Sequence, residues 1–183
     1  MFDDKKVAQM AMYFLGRRGG RMSYLKLMKL LYLADRHSME LYDFPISDDH
    51  HVSLPHGPVL SNTLNLITGQ VESVAWNSEI AAEANYEVSL KSTFDRDKLD
   101  ELSDADIEVM EAIWNQFGEM NRWELRQHTH DHCPEWEDPN GSSFPISPEA
   151  IYRAVGRDEH SAQQLNNELM QRKSLEMIRR NYR

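Results

Sequence analysis

The chain has 183 residues, of which 40% are hydrophobic and 27% charged, a globular mixture sized for one ordinary domain and not a disordered polymer. Twenty Lys and Arg against 30 Asp and Glu give a net charge of −10, which argues against direct binding to nucleic acid. A lone cysteine, Cys133, excludes an intramolecular disulfide and suits a reducing cytoplasm; the acid-first start is unlike a secretory signal, and no apolar run approaches the roughly 20 residues of a membrane span.

In chain order, Val7, Met10, Ala11 and Phe14 recur at helical spacing, which predicts a helix from about Asp3 to Arg18 that stops at Gly19-Gly20. A second helix runs from a Ser23 cap to about Leu41, so widely apolar that it belongs at the centre of the core. A short strand is expected over His50 to Leu54. Pro58 suits a first helical position, with the helix continuing to Gly69. Ser73 to Trp76 and Tyr86 to Phe94 read as further strands, the latter by period-two alternation. Ser103, Asn121 and Ser147-Pro148 each look like a helix start, and a last helix covers about Asp158 to Tyr182. The fold class is therefore α+β, predominantly helical: one compact domain with a small antiparallel sheet.

Charge is distributed unevenly along the chain. Asp95 to Glu111 holds eight acids and two bases, whereas Gln171 to Arg183 holds five bases and one acid.

Three groups of residues are candidates for chemistry. His128 and His132, with Cys133 beside them, sit at a helical spacing that can chelate one ion, but no third ligand is evident; a polar helix end is the plainer reading. His56 precedes a sharp Gly57-Pro58 turn, where an imidazole suits a bond to a buried backbone group or carboxylate. On the second helix, Lys26, Lys29, Arg36, His37 and Glu40 gather on one side, while Asp35 falls on the opposite, apolar side. A carboxylate there needs a donor. The expectation is that Asp35 anchors the His56-Gly57-Pro58 turn or another local donor. No phosphate-cradling glycine loop and no nucleophile elbow occurs, so no catalytic residue, metal or cofactor is assigned.

The run Leu25 to Asp35, LKLMKLLYLAD, resembles the LKLQKLLYxAD signature of the Panacea antitoxin domain (SocA-like, phage-associated GepA-like). His56-Gly57-Pro58-Val59 resembles that family's GPV element. Leu125 to His130, with Pro134 and Trp136 after it, is similar to its later half, and Pro145-Ile146-Ser147 to the PIS that opens its next helix. Met28 stands where Gln is common. The resemblance implies a non-enzymatic cytoplasmic antitoxin, bacterial or prophage, spanning 1–183 with 156–183 as a C-terminal helical extension. It would neutralise a partner protein toxin, encoded adjacently, by direct binding. Alternatives are an adaptor delivering the toxin to a AAA+ protease, a phage protein binding a host factor, and a metal-dependent hydrolase built on His128 to Cys133. Lys26, Lys29, Arg36, His56, Gly57 and Pro58 are the protein-binding candidates; Asp35, His130 and Trp136 are motif residues with structural roles. The basic last helix could carry partner specificity, a dimer contact or ordinary packing.

Overall fold

A computed structural model of the chain describes residues 2–181; Tyr182, assigned to the last helix from the sequence, lies outside them. Helix α1 (Asp4–Arg17) is capped by the Asp3 carboxylate, which accepts from the Lys5 and Lys6 amides. After the glycine pair comes β1 (Arg21–Ser23) and then α2 (Tyr24–Tyr42), where the Ser23 hydroxyl accepts from the Lys26 N–H. Leu27, Leu30, Leu31 and Tyr32 of α2 are wholly buried. Each such side chain stabilises the fold by about 1.5–3 kcal/mol relative to exposure. The helix is the axle of the molecule, touching α1, β3, α5, α6 and α7.

The middle of the chain departs from the expected elements. Strand β2 (His51–Leu54) turns straight back into β3 (Gly57–Leu60), with Ser53 opposite Pro58, so Pro58 lies in a strand and not at a helix start. It is tolerated because β3 is the edge of its sheet, where a missing N–H costs no ladder bond. Helix α3 (Ser61–Ile67) begins three residues later and is capped from outside: the buried Asp49 carboxylate accepts from the Asn62 and Thr63 amides and the Thr63 hydroxyl. Ser73 to Trp76, read as a strand, is the cap and first turn of α4 (Val74–Glu79), the Ser73 hydroxyl accepting from the Trp76 N–H.

Strands β4 (Ile80–Glu83) and β5 (Glu87–Leu90) form a hairpin, and β1 pairs with β5, giving the order β1-β5-β4. A second antiparallel sheet has the order β3-β2-β6, closed by β6 (Phe144–Pro145). The fold is thus mostly helical α+β, its β structure divided between two small sheets. Helices α5 (Asp104–Phe117) and α6 (Arg122–His132) both start with capping boxes, built by Ser103 with Asp106 and by Asn121 with Glu124. Ser147 caps α7 (Pro148–Ala154), and α8 (Glu159–Asn181) packs on α7. No helix among the described residues is long and apolar enough to cross a membrane.

Candidate partner-binding site

The resemblance-bearing residues, far apart in sequence, meet around the β2–β3 hairpin. Lys29 is fully buried and donates from Nζ to the Pro58 carbonyl at 2.6 Å. Burial without a counter-ion drives its amine down to about 7. Gly57 turns with φ +93°, and a Cβ there would stand 2.8 Å from Thr129 Oγ1, 3.0 Å from Lys29 Nζ and 3.2 Å from the His130 ring. Only glycine meets both the backbone angle and the space. His130 stacks on Trp136 with ring centroids 3.8 Å apart, and the Trp136 indole N–H donates to the Leu54 carbonyl at 3.0 Å. The hairpin is therefore clamped by α2 from beneath and by α6 and the segment after it from the side.

A second cluster lies deeper along α2. The Tyr32 hydroxyl and the Arg36 guanidinium both donate to Glu135 Oε1, at 2.6 and 2.8 Å. Burial pushes the Tyr32 phenol well above its ordinary range. Asp35, 0% exposed, accepts from the Ser47 amide at 2.9 Å and the Ser47 hydroxyl, and lies 3.1 Å from His51 Nε2. The expected local donor exists, but it is the Ser47–His51 segment; the Gly57-Pro58 turn is held by Lys29 instead.

These contacts relocate several candidate residues. Lys26 and Lys29 do not present a basic face: both are buried, Lys26 donating to the Gly118 carbonyl. Arg36 is largely covered by its ion pair with Glu135. Gly57 and Pro58 are buried. His56 is the exposed member, and it engages no buried backbone group or carboxylate; its ring meets Trp123 edge-on at 6.3 Å. His128 and His132 stack at 4.3 Å, and His132 Nδ1 lies 3.1 Å from the His128 carbonyl. Cys133 is buried, its thiol pushed up to about 12 by desolvation, so proximity to His132 creates no thiolate nucleophile. Among the described residues no three His, Cys, Asp or Glu converge as metal ligands.

Beside the clamped hairpin opens a groove of about 520 Å³. Its floor is apolar: Met28 from α2, Val59 from β3 and Leu64 from α3. His56, Tyr24, Tyr86, Arg122 and Trp123 stand around it. Trp123 is 54% exposed and Tyr86 73%. Sequence reasoning missed these two and Arg122. One signal was readable: Trp123 lies off the buried stripe of α6, which consists of Leu125 and Thr129. A larger cavity of about 830 Å³ between α1 and α4 is lined by five acids and two lysines, and these lysines, Lys5 and Lys98, already pair with Asp100 and Glu79.

The clamp joins residues at the positions where a family model described as "Antitoxin SocA-like, Panacea domain" matches, over residues 27–137. That is more than half of the chain. The protein belongs to the SocA-like Panacea antitoxin family. No curated protein and no solved structure gives a match. In this member of the Panacea family, the matched stretch includes both the α2 lysine that holds the hairpin and the tryptophan that stacks on His130.

Proposed function

We propose that this Panacea protein is a non-enzymatic, cytoplasmic antitoxin, of bacterial or prophage origin, that neutralises an adjacently encoded protein toxin by direct binding. The observation that carries the reading is the open apolar groove mounted on the family's own clamp: Trp123 and Tyr86 leave large rings in solvent next to a rigid hairpin. Exposed aromatics around a preformed depression are the usual anchors of a protein interface. The polar residues that could have suggested catalysis have structural partners instead, which also favours stoichiometric binding. His56 is the one binding candidate from the sequence that lines the groove; Gly57 and Pro58 are buried behind it in the hairpin. Residues 156–183 extend this unit at its C-terminal end. The net charge of −10 suits a basic toxin.

The test is co-expression with the product of the neighbouring reading frame. The expected outcome is that the neighbour arrests growth alone, is tolerated with this chain, and co-purifies with it in a stable one-to-one complex. Loss of toxin in the presence of the chain, prevented by removing a AAA+ protease, would identify an adaptor instead. A neighbour harmless by itself would remove the antitoxin reading.

A further inference from the structure

The lining of the groove specifies more than an apolar contact. We infer that it seats a short segment of a partner protein that carries a large apolar or aromatic side chain next to a carboxylate, the side chain on the Met28–Val59–Leu64 floor and the carboxylate at Arg122. This rests on the antitoxin reading for the identity of the partner, but its chemistry can be tested without one.

Four observations support it. The volume, about 520 Å³, fits one or two side chains and not a folded surface. The rim is built to hold a ring: Tyr24 meets Tyr86 edge-on at 6.0 Å and His56 meets Trp123 edge-on at 6.3 Å, leaving two aromatic pairs around an apolar floor. Tyr86 keeps its place at φ +62°, directly after Asn85 at φ +61°. Bulky residues rarely hold that conformation, and such outliers cluster where a ligand is clamped. Charge supplies the fourth. The molecule carries −10, yet no carboxylate lines this groove. Arg122 lies over the Trp123 ring at 5.2 Å, and no carboxylate of the described residues is ion-paired to it. With Arg122 lying over one of the rings and no carboxylate in the lining, the charge of the recess favours a ring with a neighbouring negative charge over one with a positive charge.

The experiment uses the full chain and two fragments that share an indole ring: indole-3-acetate, with a carboxylate, and tryptamine, with an ammonium. Each is titrated while the Trp123 indole and Tyr86 ring resonances are followed. Indole-3-acetate should shift both and bind about fivefold tighter than tryptamine, the contrast expected for one exposed ionic contact. Arg122→Glu should invert that order. Equal affinities, a preference for tryptamine, or no shift at the two rings would overturn the inference. With a toxin in hand, Trp123→Ala and Arg122→Glu should each weaken the complex about thirtyfold while leaving the thermal transition in place. Undiminished binding by both variants would sink the groove assignment and leave the antitoxin reading standing. Failure of the unaltered chain to neutralise any toxin would sink that reading, and the fragment preference would then decide the groove chemistry by itself.

Discussion

Lys29 concentrates the physical tension of this fold in one atom. Its amine is wholly enclosed, its hydrogen-bond partner is the neutral Pro58 carbonyl, and burial lowers its proton affinity from the ordinary 10.5 to about 7. Between those two values the unfolded chain holds a proton that the folded chain has released. Stability therefore rises with pH from about 7 upward, and below that the cost of enclosing a charged amine is fully present. Cys133 works in the opposite sense, since its thiol moves from 9.0 to about 12, and its contribution declines only above pH 9. Thermal unfolding between pH 7 and 8.5 isolates the lysine. The melting temperature should climb over that interval in the natural chain and stay level in Lys29→Met; parallel curves would show that the amine keeps its proton. The sequence pointed to Lys29 through a family signature but placed it in solvent, because a helical wheel has no knowledge of a carbonyl 29 positions downstream. Asp35 was legible for the converse reason: an acid on an apolar stripe must find a donor wherever the chain goes, and here it finds Ser47.

At the level of elements, local chemistry was readable and pairing was not. Ser23, Ser103, Asn121 and Ser147 cap their helices as expected, since a cap is decided within three or four residues, and Asp3, expected as the first helical residue, is the cap of α1. Strands β1 and β6 are three and two residues long and exist only because β5 and β2 offer them an edge, a relation over dozens of residues. Ser73 to Trp76 was misassigned because a run of three apolar residues after a serine is too short to separate a strand from a helical turn. Helix α8 divides into unequal halves. Ala162 and Leu169 are buried, and Lys173 and Arg172 close on Asp48 and Phe44. Beyond them Leu175, Met177 and Ile178 are each more than half exposed. Packing thus accounts for the first half only. Ending the chain after Ser174 should move the melting temperature by no more than about 2 °C, whereas ending it after Asp158 removes the buried residues and should lower it by about 10 °C. Calorimetry on both truncations checks this; a large loss from the shorter cut would mean that the distal half is packed after all.

For the molecule as a whole, field and site have opposite signs. A net charge of −10 would draw in a basic partner over a screening distance of about 8 Å at physiological salt. The groove, by contrast, offers Arg122 at its mouth and no acid. Long-range attraction governs how often partners meet, while the groove governs how long they remain. The two can be separated kinetically. Raising the salt from about 50 to 500 mM should slow association roughly tenfold and speed dissociation by no more than the roughly fivefold that one exposed ionic contact contributes. Arg122→Glu makes the molecule still more acidic, so a basic toxin should associate at least as fast as before. Dissociation should nevertheless accelerate, because the local contact has been inverted. Stopped-flow association and surface-capture dissociation measure the two rates independently. If Arg122→Glu slowed association and spared dissociation, the arginine would be acting through the global field, and the groove would lose its role as the anchoring site.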